Sequence, residues 1–195
     1  MEVVSLRDLE RISKERTVSD MWDFIDGAAF DEVTKKRNEQ KFQELSINPS
    51  FLIDIGTRNT KTKILGEEID FPIMVAPAGG QRQHHPEGEL ATARGAGMAG
   101  TLFALPTASG YSIEEVADVA TGPLWFQLYH SADDITENLV VRAKNAGYKA
   151  ICLTVDTPTA AAKEKDLRNN FRSCLLYTSD AADEGLGVDL GGRRI

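Results

Sequence analysis

Apolar and polar residues follow two different patterns along this chain, and the change between them falls near residue 71. Between residues 6 and 30, apolar residues recur three and four positions apart with charged residues between them. This spacing predicts helix, with a start near Ser19 and an end or kink at Gly27. A second polar stretch that favours helix spans residues 31–45. Short strands are predicted at 51–53 and 62–65, each followed by a glycine turn.

After residue 71 the pattern becomes a repeat of apolar runs and amphipathic stretches. Continuous apolar runs predict buried strands at 71–77, 101–105, 124–129 and 150–155. Helices are predicted between them near 86–99, 112–120 and 133–146. Because fully apolar strands that alternate with helices are typical of parallel sheets covered on both faces, the repeat predicts an α/β fold.

Two architectures fit this repeat: a doubly wound open sheet, or the first half of a (β/α)8 barrel preceded by an N-terminal helical segment. A complete barrel takes about 250 residues, and four βα units already occupy residues 71–172. The predicted organisation is therefore a helical and short-strand segment at 1–70, four βα units at 71–172, and a different tail at 173–195.

Composition narrows the class of protein. The chain has 195 residues, of which 42% are hydrophobic and 27% charged, as in folded soluble domains. Its net charge of −8 argues against a nucleic-acid partner, which needs a basic face. The chain has neither an apolar run of membrane-spanning length nor the start of a secretory signal, so a cytoplasmic location is expected. Its two cysteines, Cys152 and Cys174, lack metal-site spacing, and no metal is expected.

The glycine-rich stretch at 95–100 and the histidine pair at 84–85 could each belong to a binding site, but their positions favour a structural role. Residues 95–100 match G-x-G-x-x-G by letter, but they close a predicted helix and precede a strand. A dinucleotide site needs the reverse order, so we interpret the motif as a helix end with close packing. His84 and His85 precede a proline-led helix start and favour a structural role, whereas His130 follows a strand without an identifiable partner.

The carboxyl ends of the predicted strands carry the better candidates for a binding site, because parallel α/β folds place ligands there. Gln127 and Thr154 are polar residues within apolar strands, so burying them requires hydrogen-bond partners. One interpretation is an internal hydrogen-bond network. The other is a site for a planar heterocycle with donors and acceptors along its edge.

Several motifs of the chain, taken together, resemble one enzyme family. They are 71–77 (FPIMVAP), 85–89 (HPEGE), 126–129 (FQLY), 153–158 (LTVDTP), and an N-terminal Asp26-Gly27-Ala28 followed by Arg37-Asn38. In order and spacing they resemble the FMN-dependent 2-hydroxy-acid oxidases and dehydrogenases, over residues 5–172.

This resemblance implies a TIM barrel that binds FMN and oxidises a small 2-hydroxy acid to the 2-oxo acid. It implies that the backbone of Pro77, Ala78 and Gly79 lies against the flavin, and that Gln127 and Thr154 bind its polar edge. Tyr129, Phe24 and Lys163 would be the substrate-binding positions. A histidine would remove the α-proton while two electrons pass to the flavin. The family also implies a homo-oligomer.

The chain departs from the family pattern at three positions. Phe24 replaces a substrate-contacting tyrosine, Pro106 replaces a flavin-bonding serine, and Lys163 replaces an arginine. The family's catalytic histidine falls beyond Ser173, so no catalytic residue is expected in this chain and it should be inactive by itself. Alternatives are another flavin barrel, similar to type 2 isopentenyl diphosphate isomerase, or an inert half-barrel that only binds a ligand.

The end of the chain has a different character from the rest. Residues 174–184 resemble the in-frame translation of a sequencing-library adapter, and residues 187–195 resemble the continuation of the same adapter. Segments of this kind are excluded from fold reasoning. We therefore expect residues 173–195 not to be native sequence, and the chain to be the N-terminal half of its parent.

Overall fold

The computed structural model describes residues 3–156 and 162–171. Contacts between residues divide the chain into two compact units. Among the described residues, the first unit comprises 3–57 and 162–171, and the second comprises 58–156. The predicted tail at 173–195 lies outside the described residues.

The helices and strands follow one another along both units. In chain order they are α1 (Leu6–Arg16), α2 (Ser19–Asp26), α3 (Val33–Glu44), β1 (Thr62–Ile64), β2 (Glu67–Ile69), a 3-10 turn (Gln81–Gln83), α4 (Gly88–Met98), β3 (Phe103–Leu105), α5 (Ile113–Val119), β4 (Leu124–Tyr129), α6 (Asp133–Asn145), β5 (Ala150–Thr154) and α7 (Glu164–Arg168).

The first unit is helical, largely as the sequence pattern predicts. The stretch 6–30 forms two helices, separated by Thr17 and Val18, and α2 begins at Ser19 and ends before Gly27 as the pattern predicts. The second predicted helix is present as α3. The strand predicted at 51–53 is wrong: no strand forms there, and Leu52 has a φ of +59°, which an extended strand does not allow.

The second unit begins with an antiparallel hairpin of β1 and β2, in which Thr62 pairs with Ile69. Leu65 and Gly66 form the two-residue turn, with φ angles of +46° and +89°. Positive φ at both positions matches the turn type whose twist suits a hairpin.

The main sheet of the second unit is parallel, with the order β3-β4-β5. The strand expected at 71–77 contributes only one bridge, in which Val75 pairs with Phe103. Val75 donates its N–H to Leu102 O and accepts from Ala104 N, at 2.9 and 3.0 Å. Pro77, two residues later on the same edge, has no N–H to extend this pairing, so the first strand is shorter than its apolar sequence predicts.

The core of the second unit lies between one face of this sheet and helices α4, α5 and α6. Alternate strand residues supply it from the sheet, since side chains of a strand point to opposite faces. Its buried members are Ala93, Ala96, Phe103, Leu105, Ile113, Val116, Leu124, Phe126, Leu128, Leu139, Ala143 and Tyr148. The Tyr148 hydroxyl donates to Ile113 O at 2.9 Å, which satisfies its polar atom inside the core.

The glycine-rich stretch 95–100 ends α4, as the sequence predicts. The helix stops at Met98, and Gly100 adopts a φ of +72°. Gly97 lies against the following loop so closely that a Cβ there would meet Thr121 Oγ1 at 2.2 Å and Gly122 N at 2.6 Å. Around Gly95, by contrast, a Cβ would meet nothing within 4 Å. The motif is therefore a close-packing element, in which backbone contacts leave no room for a side chain at Gly97 and the Asp70 side chain lies against Gly100.

We expect Gly97→Ala to lower the free energy of unfolding by about 1–3 kcal/mol, since the added methyl overpacks the contact with residues 121–122. Gly95→Ala is the matched control and should be neutral or raise it by roughly 0.5–1 kcal/mol, because alanine favours the helix. Urea denaturation of the 195-residue chain measures both. Equal effects of the two substitutions would contradict this account of the packing.

Candidate functional site

Gln127 is the central polar group at the strand ends of the second unit. It lies within β4, and only 5% of its surface is exposed. Its Oε1 accepts from the backbone N–H of Thr107 at 3.0 Å, and its Nε2 donates to Thr154 Oγ1 at 2.8 Å. The buried amide is thus bonded at both of its ends. Of the two interpretations made from the sequence, the internal hydrogen-bond network is present in the structure.

Thr107 completes this network from the loop after β3. Its hydroxyl donates to Gln127 O at 2.6 Å and accepts from the backbone N–H of Tyr129 at 3.1 Å. Together with the Thr107 N–H, these contacts tie the end of β3 to the end of β4. Gln127 then joins β4 to β5 through Thr154, so one connected set of hydrogen bonds holds three strand ends.

Sequence reasoning missed Thr107. It considered only Pro106, which supplies neither a hydroxyl nor an N–H after β3, and not the residue that follows. The next residue supplies both groups, and its side chain reaches back to β4. A threonine directly after a buried strand was the available signal, but only the parallel pairing of β3 with β4 brings Thr107 to Gln127.

Tyr129 and Thr154 lie side by side at the end of the sheet. They are register partners of the β4–β5 pair, so their side chains share a face, and Gln127 lies on that face two residues earlier. Tyr129 is 43% exposed and ends its strand. The structure therefore brings together Gln127, Thr154 and Tyr129, three of the residues singled out from the sequence.

The turn formed by Pro77, Ala78 and Gly79 is exposed, and its backbone is held from both sides. Gly80 donates its N–H to Ala108 O at 2.9 Å, and Gln81 Nε2 donates to Ala78 O at 3.0 Å. A Cβ on Gly79 would lie 3.1 Å from the Ala108 Cβ, closer than most such contacts allow. The turn therefore presents bare peptide backbone, in a fixed position, at the edge of the second unit.

Phe24 and Lys163 meet each other within the first unit. Lys163 Nζ donates to Phe24 O at 2.5 Å, lies 4.3 Å from the centre of the Phe24 ring, and is 3.4 Å from Asp166 Oδ2. The Phe24 ring also packs against Phe171, with ring centroids 5.2 Å apart. The Lys163 ammonium is thus already engaged by a carbonyl, an aromatic face and a carboxylate.

Asp26 organises the charges of the same unit. Its carboxylate accepts from Lys165 Nζ at 2.8 Å and from Lys35 Nζ at 2.6 Å. These hydrogen bonds, first that from Lys165 and then that from Lys35, lower the Asp26 pKa from 3.8 to about 2. Because Lys165 belongs to α7 and Lys35 to α3, this carboxylate links α2 to two other helices.

The three histidines make local contacts in the described part of the chain. His85 Nδ1 accepts from the backbone N–H of Glu87 at 3.2 Å, next to the start of α4. His130 Nε2 lies 3.4 Å from Asp133 Oδ1. Desolvation lowers the His84 pKa, and the charge of Glu89 opposes this. No group of three or more potential metal ligands occurs among residues 3–156 and 162–171, and no helix there is long and apolar enough to cross a membrane.

Parallel strands that alternate with helices, with polar side chains and exposed backbone at the strand ends, are typical of α/β folds that bind ligands at that edge. The family of FMN-dependent dehydrogenases matches residues 13–185. The chain belongs to this family, as the resemblance in its motifs predicted, and its fold is the first half of a TIM barrel.

Curated relatives and solved structures agree with this assignment. The chain is 42% identical over 187 residues to glycolate oxidase 3 of Oryza sativa subsp. indica, covering 94% of the chain and 51% of the relative. It is 41% identical over 192 residues to glycolate oxidase of Spinacia oleracea, covering 98% and 51%. A soluble mutant of the membrane-associated (S)-mandelate dehydrogenase from Pseudomonas putida superimposes with a TM-score of 0.84 at 34% identity, covering 88% and 49%. The chain thus spans about half the length of the proteins it matches.

We expect Thr107→Val to lower the free energy of unfolding by about 1–3 kcal/mol, because it leaves the Gln127 carbonyl and the Tyr129 N–H without their partner. Thr107→Ser keeps the hydroxyl and is the matched control. Urea denaturation followed by tryptophan fluorescence gives both values. A valine variant as stable as the serine variant would contradict a bridging role for this hydroxyl.

We expect the first unit to lose stability in acid through Asp26. Its folded pKa of about 2 lies below the unfolded value of 3.8, so its contribution is complete above 3.8 and is lost as the pH falls toward 2. Asp26→Asn should flatten this part of the acid transition, as measured by circular dichroism. Asp20→Asn, on the same helix, is the control. An unchanged transition in Asp26→Asn would show that this carboxylate does not link the helices.

Proposed function

We propose that the second unit binds FMN at its strand ends, and that the protein to which this chain belongs uses that flavin to oxidise a small 2-hydroxy acid to the 2-oxo acid. The observation that carries the proposal is the Gln127–Thr154 pair, a buried amide bonded to a half-buried hydroxyl at the carboxyl ends of β4 and β5. Membership of the FMN-dependent dehydrogenase family supports it.

The hydrogen-bonding capacity of this pair suits the polar edge of a flavin ring. Gln127 Nε2 carries two hydrogens and uses one for Thr154. Thr154 Oγ1 accepts that bond, so its own proton is left to donate elsewhere. Two donors side by side fit the carbonyl and ring-nitrogen acceptors of the flavin. The internal network and the flavin site are therefore compatible, since the network orients groups that retain further donors.

The exposed backbone at Pro77, Ala78 and Gly79 suits the flat face of the same ring. The turn has small side chains, and its peptide groups are held by Ala108 and Gln81. Bound FMN supplies a two-electron acceptor that no amino-acid side chain provides. The protein's part is to place that acceptor and to exclude competing groups.

Substrate binding is proposed for Tyr129, which is partly exposed next to Thr154. For Phe24 and Lys163, in the other unit, the proposal rests on the family resemblance alone. Phe24 lacks a hydroxyl, and lysine lacks the two-pronged hydrogen bonding of arginine toward a carboxylate. The relatives' names point to glycolate and mandelate as the substrates to try first.

No catalytic base is assigned within residues 3–156 and 162–171, since the described contacts of His85 and His130 remain local. We also propose that the protein is cytoplasmic and assembles into a homo-oligomer. Fractionation of the source cells and light scattering of the purified protein test them.

The test uses the gene product, defined as the protein expressed from the longest reading frame in the source DNA that contains residues 1–171. We expect it to purify yellow, and its visible flavin absorption to bleach when glycolate, lactate or mandelate is added without oxygen. Gln127→Leu should weaken FMN binding about tenfold or more, since the ligand loses a donor in a buried site. Gln43→Leu, on the exposed surface of α3, is the matched control.

The other outcomes separate the alternatives. Flavin that binds but is reduced by none of the three acids would favour a flavin enzyme without net oxidation, similar to type 2 isopentenyl diphosphate isomerase. A gene product that binds no FMN would refute the proposal and leave an inert half-barrel. Equal FMN affinity in the Gln127→Leu and Gln43→Leu variants would refute the assigned site.

A further inference from the structure

Gln81 connects the Pro77–Gly79 turn to helix α4 through three hydrogen bonds. Its backbone N–H donates to Glu89 Oε1 at 3.1 Å, and its side-chain Nε2 donates to Ala78 O at 3.0 Å. Its Oε1 accepts from Thr92 Oγ1 at 2.5 Å. Both ends of its amide and its backbone are therefore engaged, so the side chain has little freedom to rotate.

Glu89 is an unusual partner for this purpose because it is fully buried. Its exposed fraction is 0%, and within the described part of the chain its Oε2 makes no hydrogen bond. Burying a carboxylate is costly unless its oxygens are bonded or a positive group is near. Glu89 lies in the first turn of α4, where the helix dipole favours negative charge. The cost of burying this carboxylate indicates that its hydrogen bond with the Gln81 N–H has a specific role.

The geometry of the Ala78–Gly79 peptide indicates which group Gln81 orients. Gln81 Nε2 holds the carbonyl of Ala78, and in a trans peptide the following N–H points opposite to the carbonyl. The next N–H is that of Gly79, which donates to no residue in the described ranges. The bond from Gln81 therefore holds the Ala78–Gly79 peptide, with the Gly79 N–H on the side opposite to that bond.

We propose that Glu89 and Thr92 are positioning residues that act through Gln81 to aim the Gly79 N–H at an acceptor atom of the bound flavin ring. This inference rests on the proposed function, since it assumes that FMN lies against the turn. Glu89 fixes the Gln81 backbone, Thr92 fixes the orientation of its amide, and the amide fixes the Ala78–Gly79 peptide.

The decisive pair of variants is Thr92→Val and Thr92→Ser in the gene product. Valine has the shape of threonine without the hydroxyl, so Gln81 Oε1 loses its donor and only the bond from Nε2 to Ala78 O still holds the amide. We expect the dissociation constant for FMN to rise about threefold to tenfold, with a shift of the visible flavin band. Serine keeps the hydroxyl and should restore both values. Glu89→Leu removes the acceptor of the Gln81 N–H and should raise the dissociation constant for FMN in the same direction.

Thermal unfolding of the FMN-free variants separates positioning from a structural role. A fall in the melting temperature of Thr92→Val, without change in FMN affinity or in the flavin spectrum, would overturn the proposal. Equal FMN affinity and spectra in the valine and serine variants would also overturn it. These results leave the proposed function intact, because the unaltered gene product would still bind FMN. A gene product that binds no FMN would refute both.

Discussion

The side-chain amide of Gln127 lies out of water in the middle of an apolar strand, where an unbonded amide costs about 1–3 kcal/mol. Its two ends are satisfied by different strands, Oε1 by the Thr107 backbone and Nε2 by Thr154. The ends of β3, β4 and β5 must therefore keep their relative positions for the amide to stay bonded. The same requirement sets the place of Tyr129, whose N–H bonds to the Thr107 hydroxyl.

A second set of hydrogen bonds holds the neighbouring turn by the same principle. Gln81 is bonded at its backbone and at both ends of its amide, and the groups that bond it come from α4 and from the turn itself. The two glutamines thus have parallel tasks. Gln127 orients side-chain donors at the strand ends, and Gln81 orients a peptide group. Both are bonded at each end of the amide, which leaves only a narrow range of geometry.

The first unit shows a different use of polar groups. Asp26 and Lys163 bind partners on other helices, and the ammonium of Lys163 also contacts the Phe24 ring. Phe24 and Lys163 are two of the three positions at which the sequence was expected to depart from the family pattern. In the structure the ring of one and the ammonium of the other contact each other.

The sequence by itself determined the order and type of the elements of the second unit. Strand β4 and helix α6 have such regular patterns that their bounds follow from apolar periodicity almost to the residue. It also identified Gln127 and Thr154, because a polar residue within an apolar strand is visible without a structure. Its family motifs implied the barrel and the flavin.

Tertiary structure decided what local pattern does not contain. The apolar run at 71–77 pairs through Val75 alone, since Pro77 on the same edge has no N–H to donate. The positive φ of Leu52 is incompatible with the strand predicted at 51–53. Thr107, Gln81 and Glu89 looked like ordinary loop and helix-start residues in sequence. Their partners lie on other elements, so their roles exist only after the strands pair and α4 packs beside the turn. Periodicity reports which face of an element is buried, but a hydrogen bond between elements depends on where both of them lie.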